Sequence, residues 1–143
     1  MKKLMSLVIA GISVLALSGC GGGGDDYYDD GLTTLFLVDD QGYSYVDVPY
    51  ICDSMNDWDF TPANGEFSFY PGEDCTFDLT GLNGTDPYDI YENDYIYIVD
   101  YLDNGKNGID YNCEYFGVGT TYDDDIWDGS FDYDTDDSCS FYL

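Results

Sequence analysis

From Leu35 onward the chain alternates apolar and polar positions in short runs, and outside the N-terminal segment no stretch sustains a helical period. Residues 35–38 (LFLV) and 96–99 (IYIV) are apolar on both faces, as suits a buried central strand. Val46, Val48, Tyr50 and Cys52 alternate with Asp47, Pro49 and Ile51, predicting a second strand buried on one face. Asn64-Gly65 and Asp128-Gly129 are dipeptides preferred in tight turns, and each opens a third run. There Phe67 and Phe69 alternate with Glu66 and Ser68, and Phe131 and Tyr133 follow the same pattern. A fourth run sets Cys75, Phe77 and Leu79 on one face. The pattern predicts an all-β protein.

The runs recur. LFLVD at 35–39 matches IYIVD at 96–100, an offset of 61 that also carries Tyr50 onto Tyr111 and Cys52 onto Cys113. Beyond the cysteine the offset becomes 64, and Gly65, Phe67, Phe69, Cys75, Phe77 and Leu79 fall on Gly129, Phe131, Tyr133, Cys139, Phe141 and Leu143. Matched cysteines and glycines are more than shared strand composition produces. The expected organisation is two tandem β-repeats, 32–79 and 95–143, of about four short strands each and β-sandwich-like, joined by a linker at 80–94.

The N-terminus belongs to a different class. Lys2 and Lys3 precede a mostly apolar run at 4–17, the layout of a secretory signal peptide over residues 1–19. Residues 17–20 (LSGC) resemble the lipobox of bacterial lipoproteins, which implies cleavage before Cys20 and lipid on its thiol. Two or three acyl chains hold a protein stably on a bilayer. Residues 20–31 then read as a flexible Gly/Asp-rich tether. The resemblance implies a cell-envelope location; Gly21, where an Asp would favour inner-membrane retention, points to the outer membrane if the cell has one.

All 30 acidic residues lie beyond residue 19 and only Lys106 opposes them, leaving a net charge of −29 on the mature chain. Such a surface repels nucleic acid and favours cationic partners. Eight Phe, sixteen Tyr and two Trp distinguish the chain from a disordered acidic tail. Asp prefers turns and caps, so Asp-rich turns between aromatic strands are expected.

With Cys20 assigned to lipid, Cys52, Cys75, Cys113 and Cys139 remain, an even number in an exported chain. Of the three possible pairings the repeat selects Cys52 with Cys75 and Cys113 with Cys139, equivalent positions closing equivalent loops. Bridges of this span stabilise by about 3–4 kcal/mol each in the chain-entropy treatment. No pair has the spacing of a zinc knuckle.

The strand motifs also resemble a short β-repeat of bacterial surface lipoproteins and, more distantly, carboxypeptidase-regulatory-like and transthyretin-like β-sandwich modules. The residues concerned are Tyr50, Cys52, Thr61, Gly65, Phe67, Phe69, Gly72, Cys75 and Phe77. The second copy departs: residues 120–129 (TTYDDDIWDG) stretch the approach to Gly129, and Asp136 stands at the place of Gly72. The resemblance implies a spacer, stalk or adhesive unit and no catalytic residue.

Residues 103–114 (DNGKNGIDYNCE) match part of a calcium loop through Asp103, Asn107, Gly108 and Glu114, although Gly105 replaces an acid and Tyr111 and Cys113 belong to a strand. A hairpin turn is the preferred reading. The clusters Asp123-Asp124-Asp125 and Asp132, Asp134, Asp136 and Asp137 could gather a hard cation, since alternate Asp on one strand face point the same way, but a solvated acidic face is the preferred reading. No cofactor is expected beyond weak calcium or magnesium association. Trp58 and Trp127 suit either a sugar platform or caps on a small core. With no His, no Arg and one Lys in the mature chain, the usual nucleophile–base arrangements are missing. The expectation is a non-enzymatic structural or adhesive module held to a membrane by lipid, with glycans as candidate ligands. The alternative is an acidic inhibitor or decoy for cationic proteins such as lysozymes or antimicrobial peptides.

Overall fold

A computed structural model describes residues 31–88 and 92–143. The expected signal peptide, Cys20 and the tether up to residue 30 lie outside the described residues. Nine strands form among those described: β1 (Thr33–Val38), β2 (Pro49–Cys52), β3 (Asp59–Phe60), β4 (Glu66–Phe69), β5 (Asp74–Asp78), β6 (Tyr97–Val99), β7 (Asp110–Cys113), β8 (Gly117–Thr120) and β9 (Ser138–Tyr142). They make two antiparallel sheets, ordered β4-β1-β6 and β3-β2-β5-β9-β7-β8. The chain is all-β, as its alternation predicts.

The halves do not stand apart. β1 pairs with β6 in a register that sets Leu37 opposite Ile98, positions 61 apart in the chain. β5 pairs with β9 so that Thr76 faces Ser140, 64 apart, with their hydroxyls 2.6 Å from one another. In each sheet, therefore, a residue at the seam pairs with the one the sequence matches to it. The core between the sheets is shared: Leu35, Leu37 and Phe67 of the first half and Ile96, Ile98 and Phe131 of the second are all buried in one cluster. Phe67 meets Phe77 edge-to-face at 4.8 Å and Phe131 meets Phe141 at 4.6 Å, while Phe77 and Phe141 touch across the seam at 5.8 Å. Such edge-to-face pairs add roughly 0.5–1.5 kcal/mol beyond the area they bury.

Both disulfides are cross-strand pairs. Cys52 bonds Cys75 between β2 and β5, and Cys113 bonds Cys139 between β7 and β9. Each staples an outer pair of strands to one strand of the central seam. Asp136 has φ 56° and Gly72 φ 96°, so the apparent departure in sequence keeps the left-handed turn. Asp tolerates that region better than most side chains because it hydrogen-bonds locally.

Two features differ from the sequence pattern. β3 and β8 were not expected; they are short outer strands, and β8 fits because Gly119 leaves room for the Tyr111 ring, whose hydroxyl would lie 2.5 Å from a Cβ there. The expected third strand of the second half is reduced to a single bridge between Tyr97 and Ser130. Phe131 and Tyr133 are buried as the alternation requires, but beyond the bridge the chain bonds to the linker instead. Thr85 donates its N–H to the Tyr133 carbonyl, and Asp136 donates to Leu82.

Because the halves share both sheets, they should unfold as one. Replacing Cys52 and Cys75 by serine is expected to remove about 3 kcal/mol of stability. Trp58 and Trp127 fluorescence should then report a single coincident transition in urea. Two separated transitions would show that the halves are independent.

Candidate functional site

Below each disulfide an acid two residues before the cysteine organises the neighbouring turns. Glu73 accepts the N–H groups of Ser54 at 2.7 Å and Tyr70 at 2.6 Å. Asp137, fully buried, accepts four: Tyr115 at 2.8 Å, Phe116 at 3.0 Å, Asp134 at 2.9 Å and Ser138 at 2.9 Å. Burial works against the Asp137 charge, but the four donors outweigh it and hold the carboxyl below its ordinary range. Glu73 is shifted the same way: desolvation raises it, but its bonds to Tyr70 and Ser54 together outweigh that and lower it.

Asp137 thereby sets the walls of a groove. It fixes the β7–β8 turn, which presents the exposed rings of Tyr115 and Phe116, 61 % and 42 % accessible, and it fixes the backbone of Asp134 across from them. Thr85 holds the third wall: its hydroxyl donates to Asp132 at 3.0 Å and accepts the Tyr133 N–H at 3.2 Å, placing Asp86 at the edge. Two adjoining hollows of about 560 and 350 Å³ result, both lined by Asp86 and Asp134. Tyr122 closes one end by donating its hydroxyl to the Asp132 carboxylate. That bond, then burial, pushes the Tyr122 phenol up to about 12, so it stays a donor at neutral pH.

A third hollow, of about 410 Å³, lies outside the small sheet, lined by Val38, Tyr97 and Val99 with Asp39, Asp103 and Asp128 around them. Here the acids serve turns. Asp39 accepts the N–H groups of Gln41 and Tyr43, as Asp100 accepts those of Leu102 and Asn104. Asp128 accepts from Asn107 at 2.9 Å.

The residues of the expected calcium loop are spread along a turn and a strand. Asp103 occupies the turn with φ 71°, its N–H bonded to the Asp100 carbonyl, and β7 takes up the following residues before Glu114. Asp132, Asp134 and Asp136 do not line one strand face, because the chain turns at residues 135–136. Asp132 is engaged by Tyr122 and Thr85, and Asp136 accepts the Gly81 N–H at 2.7 Å. Among the described residues, three potential ligand atoms converge at Cys52–Glu73–Cys75 and Cys113–Asp137–Cys139, where the sulfurs are already bonded to each other. None of Asp103, Asn107, Glu114, Asp132, Asp134 and Asp136 belongs to either group. Trp127 stacks parallel to Tyr97 at 6.5 Å and packs on Tyr95 at 5.3 Å, whereas Trp58 stands 47 % exposed before β3. In the sequence Glu73 is not singled out and Asp137 stands only as one of an acidic cluster; what marks both as braces is their common place two residues before matched cysteines.

Asp137→Asn should cost about 2 kcal/mol at pH 7, the scale of charge-assisted hydrogen bonds. Since the folded carboxyl is lowered, its contribution is present above the ordinary value of 3.8 and is lost as pH falls through the folded value. The stability gap between wild type and variant should therefore close in acid; a gap independent of pH would refute the ionised brace. Calcium and magnesium should raise Tm alike, with NaCl replacing either by screening. Stoichiometric calcium uptake in about 150 mM salt, abolished by Asp103→Asn or Asp132→Asn, would contradict this. The chain matches no family model, and comparisons with curated proteins and with solved structures returned no match.

Proposed function

We propose that the chain is a lipid-anchored, non-enzymatic module of the bacterial cell envelope, an internally duplicated β-sandwich that serves as a structural or binding unit. The observation that carries this reading is the use of cysteine. Of five cysteines, four pair with one another inside the fold, and the fifth, Cys20, stands in the lipobox. Disulfides of this kind persist in oxidising compartments, where the lipobox would send the chain.

Duplication is supported by more than strand order. Thr61 bridges Val48 N–H and the Tyr45 carbonyl, as Thr121 bridges Ile109 N–H and the Lys106 carbonyl. Glu73 and Asp137, Asp39 and Asp100, and Gly72 and Asp136 likewise fill matching roles. A second reading, capture of cationic proteins, is favoured by the net charge of −29 on the mature chain.

Cys20→Ala should move the protein from the membrane to the soluble fraction and remove acyl mass from its N-terminal peptide. Unchanged membrane fractionation together with an unmodified wild-type peptide would end the lipoprotein reading.

A further inference from the structure

Matching positions in the two halves separate what the fold requires from what it does not. Where both halves carry the same chemistry, as at the acid braces and the bridging threonines, packing explains the residue. The groove beside β7 has no such counterpart. Tyr115 and Phe116 correspond to Ser54 and Met55, and Asp132 and Asp134 correspond to Ser68 and Tyr70. The first half folds the same turn, held by Glu73, with no ring at Ser54 or Met55 and no acid at Ser68 or Tyr70. The Tyr115 ring and the Asp134 carboxylate are thus not required by the turn, and they converge on one groove with Phe116, Tyr122, Asp132 and Asp86.

We infer that this groove is a docking site for an arginine-bearing segment of a basic polypeptide, the guanidinium lying against the Tyr115 or Phe116 ring and bonding to Asp86 and Asp134. The inference rests on the reading of the chain as a binding module and names its site. Three features choose the occupant. The rings are exposed at the groove, and aromatic faces attract cations, arginine most often. The acids offer the planar, two-pronged acceptors that a guanidinium matches better than an ammonium does. Lys106, the one basic residue among those described, is not at the groove, so no described basic side chain neutralises it. A neutral glycan would stack on the same rings but gain nothing from the charge.

The internal comparison also supplies the test. In Tyr115→Ser with Phe116→Met, the groove takes the residues that the first half already accommodates, with no change in net charge. The full chain should bind an oligoarginine peptide one-to-one by calorimetry at physiological salt, and this double variant should weaken binding roughly tenfold, the scale of a partly desolvated cation–ring contact. Asp86→Asn with Asp134→Asn should weaken it similarly, and Asp57→Asn with Asp59→Asn, equal in charge but on the first half, by less than about twofold. Equal losses from both acid pairs would show attraction by the overall field alone and overturn the groove while leaving a cation-binding role intact. Binding of a neutral oligosaccharide in place of oligoarginine, lost in the ring variant, would overturn the occupant but keep a binding module. Should the ring variant misfold by near-ultraviolet circular dichroism, the two acid pairs decide. No binding of oligoarginine sinks the inference, and membrane fractionation then judges the envelope reading separately.

Discussion

The seam between β5 and β9 is the contact on which the remaining structure depends. A unit of some 45 residues buries too little surface to hold itself together. Here neither half tries to do so, because each lends its last strand to a common sheet and its first strand to another. Phe77 and Phe141 meet across that seam, and each is also the ring on which its own half packs, Phe67 on one side and Phe131 on the other. The disulfides reinforce the same place, since each ties a neighbouring strand to a member of the seam. The apolar core and the covalent cross-links therefore act on one set of strands.

Charge is the opposing constraint. A chain this acidic resists compaction, and the fold answers by giving many of its carboxylates backbone work. Asp39 and Asp100 close hairpins, and Glu73 and Asp137 tie turns to strands. A carboxylate that receives backbone N–H groups is stabilised as an anion without needing a cationic partner. This suits a chain in which Lys106 is the one base among the described residues.

The strand pattern and the cysteine pairing were legible because both depend on local period and on equivalence along the chain. Phe67 and Phe69 alternate with polar neighbours whichever strand they later meet. Sharing of sheets was not legible, because a period of two states which face is buried and says nothing about the partner. The third strand of the second half shows the limit: Phe131 and Tyr133 kept their burial while Thr85, in a stretch that reads only as linker, took over the ladder. The aspartates at 132, 134 and 136 misled for a related reason, since alternation implies a common face only while the strand continues. Tyr115, Phe116 and Asp86 come together from separate segments, and no spacing in the chain announces that.

The order of strands in the larger sheet also bears on how the protein is made. β9 lies between β5 and β7 yet follows both in the chain. Until it is in place, β5 has an open edge and Phe77 lacks one of its neighbours, so the first half cannot finish folding as it emerges. Contacts so distant in sequence form slowly, and an unpaired edge invites other chains. A sheet that closes on a strand later in the chain than both its neighbours therefore keeps the first half open until the residues of β9 are available to it.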